Sequence, residues 1–478
     1  MRIAPALFEA FLKCATKCHL RALGETGLGN EYAGWVRARD ESYQREAARR
    51  ALEAVAEAER VVAPPATENL KAAQWRWAVD LVAQASSPAS SGSVPLPVGT
   101  PGGTPGEPAD ETCALQSRLH AVERIPSAGR GQPAQFVPIR FIHRNKLTQD
   151  DKLLLAFDAF VLSEMLGRAV SLGKIIHGDD HATLKVKTAA LAGEVRKRLG
   201  KMTALLTSPA PPDLVLNRHC AECEFQARCR RLAVEKDDLS LLAGMSAKER
   251  QKLRSKGIFT VTQLSYTFRP RRRPRRQRDK REKYHHALKA LAIREQKIHI
   301  VGSPELKIEG TPVYLDVEGL PDRDFYYLIG VRISHGDSAV QHSLWADTVA
   351  DEGKIWREFL ALLETVEQPV LIHYGSYEKT FLKEMKERHG EPPKESVVAK
   401  CIQASVNLLL HNFAQIYFPG ISNGLKDTAA TFDFKWDEAG ASGLNAIVWR
   451  CQWEELHQAM FKERLIAYNT QDCEALAW

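Results

Sequence analysis

The sequence predicts a multidomain α/β protein, and three observations carry that reading. At 478 residues the chain exceeds what one hydrophobic core usually organises. Helix-spaced and strand-like apolar runs occur in both of its halves. Two stretches that can bury almost nothing, one rich in Ser, Pro and Gly and one rich in Arg, interrupt it. Hydrophobic residues at 44% and charged residues at 26% exclude a wholly disordered chain. The longest apolar run, Leu153–Leu162, is cut by Asp158, so no membrane span is expected. Met1–Leu20 holds Glu9 inside its apolar stretch and lacks a small-residue cleavage site. It reads as a folded helix, and a cytoplasmic location is expected.

The first expected domain is 1–233. Its first eighty residues show helical spacing, as in SYQREAARRALEAVAEAERVV. Residues 84–110 read as a flexible insertion. Phe136–Ile142 is an expected strand, Asp151–Leu166 a long buried helix, Gly173–Gly178 a strand, and Lys185–Leu206 an amphipathic helix. The segment NRHCAECEFQARC follows, with Cys220, Cys223 and Cys229 closely spaced. Three clustered thiolates in so polar a segment suit a metal or cluster site better than three unconnected core cysteines. A fourth ligand is then needed, and Cys14 and Cys18 in FLKCATKCHL are both available.

Residues 234–300 change character. Ser246 and Glu249 form a capping-box pattern for a helix ending at Gly257. GIFTVTQLS then reads as the turn and second helix of a helix-hairpin-helix-like unit, a plain helical linker being the competing reading. Arg269–Lys283 (RPRRRPRRQRDKREK) holds ten basic and two acidic residues, a local +8 that leaves the rest of the +7 chain near neutral. Such a block is either a solvated segment or a phosphate-binding strap. Arg269, Arg271, Arg272, Arg273, Arg275, Arg276 and Arg278 are its candidate nucleic-acid contacts, arginine suiting bidentate phosphate binding.

Residues 301–478 form the third expected segment. PVYLDVEG, FYYLIGVRI and VQHSLWA are expected strands, EGKIWREFLALLETV an amphipathic helix, and PVLIHYG a buried strand. Helices are expected at Glu378–Arg388, Gly424–Thr431 and Glu454–Leu476. Three hairpin-like strands, a helix, then a parallel strand is the order of a ribonuclease-H-like fold. The chain stops at Trp478 inside the last helix, so a C-terminal truncation is expected.

Asp316 and Glu318 stand at i and i+2 on the first of these strands, where both carboxylates face the same side. The pattern alone is weak, since Asp472-x-Glu474 matches it too. Glu378 falls in the first turn after a buried strand, where a glutamate is usually a helix-dipole partner. Tyr468 and Asp472 are four apart on a helix, so phenol and carboxylate share a face. Taken in order, these acids offer the oxygen ligands that two Mg²⁺ or Mn²⁺ ions need for phosphodiester hydrolysis.

With those residues in view, YLDVEG, HYGSYE and YNTQD resemble the YprB-type ribonuclease-H-like domain, a relative of the Tyr-containing DEDD exonucleases. The resemblance implies that Asp316, Glu318, Glu378 and Asp472 hold the ions and that Tyr468 orients the attacking water. Glu378 departs from the superfamily, which has Asp there. FLKCATKCHL and CAECEFQARC resemble RecB-like nucleases with an iron–sulfur staple, including those of CRISPR adaptation. That likeness implies a 4Fe-4S cluster on Cys14, Cys220, Cys223 and Cys229. The whole chain resembles bacterial RecB-like putative nucleases that fuse both domains. A RecB-like nuclease also needs an Asp and then a Glu-x-Lys on a neighbouring strand. Here His120 lies near the first, and Arg140 and Ile142 stand at the others, so the first domain is expected to bind and not to cut.

The expected function is a two-metal 3′-5′ exonuclease on nucleic acid, DNA ahead of RNA. The alternative is a non-catalytic scaffold for a helicase or other repair enzyme. A cluster-based redox sensor has no further support in the sequence.

Overall fold

The computed structural model describes residues 2–27, 29–65, 69–86, 114–127, 129, 133–269, 284–336, 338–438 and 440–478. Most of the expected insertion therefore lies outside the described residues, as do Arg271, Arg272, Arg273, Arg275, Arg276 and Arg278; Arg269 is described and exposed. The chain divides into two compact units, Met1–Leu214 with Cys223–Phe225, and Val215–Glu222 with Gln226–Trp478.

The first unit runs β1 (Arg2–Ile3), α1 (Pro5–Lys13), α2 (Ala15–Ala22), α3 (Glu31–Glu53), β2 (Arg60–Val62), β3 (Trp77–Ser86), β4 (Ala114–Ile125) and β5 (Gln135–Ile142). It continues through α4 (Gln149–Leu166), β6 (Gly173–His177), β7 (Ala182–Val186) and α5 (Ala192–Thr207). Strands β2 to β7 lie in sequence order in one sheet, with β1 paired to β4. Helix α4 is apolar on nearly every side, because it is enclosed between the sheet, α1 and α5; Phe8 stacks on its Phe157 at 4.8 Å. Thr148 and Asp151 close a capping box at its start, and Gly167 ends it in the left-handed region.

Two expectations shift here. Gln84–Ser86, expected in the insertion, extend β3 by pairing with Ala114–Gln116. The helix expected from Lys185 starts at Ala192, since Lys185 and Val186 pair with Lys174 and Gly173 in a hairpin turned at Gly178. The apolar spacing of that segment fits helix and strand equally, and pairing decides it.

The second unit begins with α6 (Gln226–Glu235), α7 (Ala247–Arg254) and α8 (Val261–Ser265). Ser246 and Glu249 make the capping box on α7, and Thr260 and Gln263 repeat it on α8. Then come α9 (His286–Glu295), β8 (His299–Ile300), β9 (Thr311–Leu320), β10 (Phe325–His335), β11 (Ser338–Trp345), α10 (Glu352–Glu364), β12 (Pro369–His373) and α11 (Tyr377–His389). The remainder is α12 (Val397–Gln403), β13 (Val406–Asn407), α13 (Leu408–Asn412), β14 (Ile416–Tyr417), α14 (Leu425–Ala429), α15 (Gly443–Leu456) and α16 (Ala459–Ala477). The sheet order is β11-β10-β9-β12-β13, with the first three strands antiparallel and β12 and β13 parallel to β9. This is the ribonuclease-H-like arrangement, so the chain is a mixed α/β multidomain protein. Helix α10 buries Ile355, Trp356, Phe359 and Leu363 at i, i+1, i+4 and i+8.

The last expected helix, Glu454–Leu476, is two helices. Residue His457 takes φ 50° and closes α15 through its N–H to Trp453 O at 2.8 Å, and α16 starts two residues on. No Gly or Pro marks the break.

Candidate active site

Strand β9 alternates. Val313, Leu315 and Val317 are buried on one face, which sends Asp316 and Glu318 together to the other. Helix α16 buries Leu465, Tyr468, Asn469, Asp472, Cys473 and Leu476, a continuous helical stripe that packs on β9 and β10. Polar residues inside a buried stripe need partners, and Asn469 finds its partner on β9. Oxygens of Asp316, Glu318 and Asp472 lie within 4.8 Å of one another.

Neutral donors hold this cluster. Asn469 Nδ2 donates to Asp316 Oδ2 at 2.6 Å and to its carbonyl at 3.1 Å. Trp436 Nε1 donates to Asp472 Oδ1 at 2.7 Å, and Tyr468 stands one helical turn before that carboxylate on α16. Room for Asn469 comes from Gly330, which faces Asp316 across the β9–β10 ladder. A Cβ there would collide with the Asn469 side chain and lie 3.0 Å from Cys473 Sγ. Gly319 on β9 serves the same purpose for Tyr377, since a Cβ there would lie 2.6 Å from the Tyr377 hydroxyl.

Burial raises Asp316 and Glu318 well above the usual carboxylate range, and the charges of Asp472 and Glu378 add to it. Burial also pushes Asp472 up to about 6, although Trp436, Tyr468 and Lys426 pull the other way. Tyr468 is raised by burial and by Asp472, so its phenol stays protonated. These acids resist ionising together unless positive charge is supplied. The donors are all carboxylate oxygens, which fits a hard divalent cation.

Glu378 is buried in the first turn of α11 but stands outside the 4.8 Å group, coupling to it only through charge. Its Oε2 and the Nδ1 of buried His373 lie 3.6 Å apart, and neither has a hydrogen-bond partner among the described residues. Asn469, Trp436, Lys426 and Gly330 were not singled out by the sequence. Asn469 neighbours Tyr468 and falls on the same stripe, which is the one signal that points to it.

The cysteines divide between the units. Cys14 sits between α1 and α2 and, like Cys223, belongs to the first unit; burial raises the Cys223 thiol, with a small contribution from Cys14. Glu224 pins that segment to α2 through Lys17 Nζ at 2.9 Å and Arg21 Nε at 2.8 Å. Cys18 is buried and its thiol is pushed up to about 12. Cys220 and Cys229 belong to the second unit.

In the first unit Arg140 is buried and donates to Asp158 through Nε at 2.5 Å and Nη2 at 3.2 Å, while Ser117 Oγ donates to the same carboxylate at 2.6 Å. His120 Nδ1 accepts from Phe141 N at 3.0 Å; burial and Arg140 lower it to about 3, so the ring is neutral. Among the described residues, no helix is long and apolar enough to cross a membrane.

No curated protein matches the chain. Residues 313–478 match a family model of the RNase_H superfamily, and the sheet order and the three meeting carboxylates agree with it.

Proposed function

We propose that residues 313–478 form a metal-dependent nuclease that hydrolyses nucleic-acid phosphodiester bonds as a 3′-5′ exonuclease. The observation that carries this reading is the buried meeting of Asp316, Glu318 and Asp472 beside Tyr468 on a ribonuclease-H-like sheet. RNase-H-like domains are usually metal-dependent nucleases, and a nucleic-acid substrate follows from that class. Asp316, Glu318 and Asp472 would hold two Mg²⁺ or Mn²⁺ ions, with Glu378 and its unpartnered Oε2 completing the set. When bound, such ions stabilise charge on the attacking and leaving oxygens. The chain's own contribution is positional. Asn469 and Trp436 fix the Asp316 and Asp472 carboxylates, and the Tyr468 hydroxyl, on the same helix as Asp472, orients water.

Around this centre the first unit is a binding platform without cleavage chemistry, since Arg140 is committed to Asp158 where a metal ligand would be needed. Cys14, Cys220, Cys223 and Cys229 hold a 4Fe-4S cluster in this reading. Anaerobic protein should be brown and carry iron and sulfide, whereas zinc without sulfide would reassign the site. The arginines from Arg269 to Arg278 add salt-sensitive affinity for the phosphate backbone. DNA is the preferred substrate, and a helicase a fitting partner.

The deciding experiment incubates the full chain with end-labelled single- and double-stranded DNA and RNA, in Mn²⁺, Mg²⁺ or EDTA. Stepwise shortening from 3′ ends that EDTA abolishes supports the reading. Tight binding with no cleavage in either metal supports the alternative, a non-catalytic scaffold. The position of Glu378 outside the carboxylate group favours that second reading.

A further inference from the structure

Among the described residues of the second unit, Lys426 is a basic side chain packed on the residues that flank the carboxylate group. It lies in the first turn of α14, half-buried, with its ammonium 4.9 Å from the Tyr468 ring centroid and 5.1 Å from that of Trp436. Trp436 hydrogen-bonds Asp472, and Tyr468 lies on the same buried stripe of α16 as that carboxylate. The lysine also donates to Ala441 O. Its field reaches both Asp472 and Glu318, lowering each. Burial lowers the lysine itself, and the same two carboxylates oppose that shift.

The lysine is not on a loose loop. Tyr374 Oη donates to Asn423 O at 2.6 Å and lies 3.1 Å from Thr428 Oγ1, tying both ends of the first turn of α14 to the segment after β12. Asp427 Oδ2 accepts from Ser422 N at 2.8 Å, and buried Lys289 Nζ donates to Phe418 O at 2.9 Å and Ser422 O at 3.3 Å. An ammonium held this firmly between two aromatic faces is placed, and cation–π attraction adds to its placement.

We infer that Lys426 is the resident cation of the carboxylate site, a positioning residue that acts through Asp472 and Glu318. It keeps those two acids together before any divalent ion arrives, and it weakens the ions' binding by like-charge repulsion. Four carboxylates and two divalent cations are neutral as a set. With Lys426 the set carries one net positive charge, which favours an anionic phosphodiester. The inference rests on the metal-dependent reading above.

The test is calorimetric titration of Mn²⁺ into the full chain, without nucleic acid, for wild type, Lys426→Gln and Lys426→Arg. Gln keeps an amide donor on a side chain one atom shorter and removes the charge. Lys426→Gln should bind Mn²⁺ about tenfold tighter, as expected for removing a like charge near the ions. Its cleavage rate at saturating Mn²⁺ should fall at least about tenfold, and Lys426→Arg should return both values toward wild type. Lys426→Met replaces the Gln variant should that protein fail to fold. Wild type and Lys426→Gln binding Mn²⁺ within twofold of each other would overturn this inference and leave the metal site standing. Absence of Mn²⁺ binding in both would overturn the inference together with the reading it rests on.

Discussion

In the first unit, Asp158 is buried on α4 and receives both the Arg140 guanidinium and the Ser117 hydroxyl. In the second, Asp316, Glu318 and Asp472 meet within 4.8 Å, and the neutral groups Asn469 and Trp436 donate to Asp316 and Asp472. Both arrangements join a sheet to its packing helix, but the energetics differ. A buried carboxylate with a two-pronged arginine partner has its charge compensated inside the protein and asks for nothing from solution. Like charges sharing one site destabilise the fold unless protons or cations enter. The first arrangement is a joint of the fold, and the second has a donor set that fits a hard divalent cation.

The largest expected effect breaks the compensated joint. Arg140→Met strands Asp158 without its charge partner and should cost about 3–5 kcal/mol in denaturant unfolding. A cost below about 1 kcal/mol would mean that the pair contributes little. Next is Gly330→Ala, which overpacks β10 against Asn469 and should cost about 1–3 kcal/mol. It should also slow cleavage, because Asn469 must leave Asp316. Unchanged melting and cleavage would show that Asn469 yields freely.

A milder test uses Lys289, a buried cation bonded only to carbonyls, whose pKa burial lowers to about 8. Its folded value is below its unfolded one, so the penalty for charging it is fully present below about pH 8. Stability therefore rises as pH climbs through 8 toward the ordinary lysine range, by at most about 3 kcal/mol. Wild type should gain on Lys289→Met between pH 7 and pH 10 in thermal melts. A constant difference across that range would return Lys289 to an ordinary amine.

Much of the second unit was legible because its signals are local. Apolar runs of strand length, one helix-length stripe and the Asp-x-Glu spacing place β9 to β12 in order and put Asp316 and Glu318 on one face. Tyr468 and Asp472 followed from the helical repeat. What stayed hidden depends on approach in space. Lys426 and Trp436 come from short elements with no periodic pattern, and the helical stripe marks Asn469 as buried without showing that Gly330 makes room for it against Asp316. Glu378 was expected among the other acids, yet its longer side chain lies outside their group, beside His373. The break at His457 was missed because a left-handed histidine closes the helix where sequence rules look for glycine.

Asp316→Asn tests most directly whether the second unit's carboxylates trade stability for metal-dependent cleavage. Cleavage of end-labelled oligonucleotide in Mn²⁺ should fall by about two to three orders of magnitude. In EDTA the same variant should melt higher than wild type, because Asn needs neither a proton nor a cation to be buried there. Cleavage that persists in Asp316→Asn, or a metal-free variant that melts lower than wild type, would contradict the account.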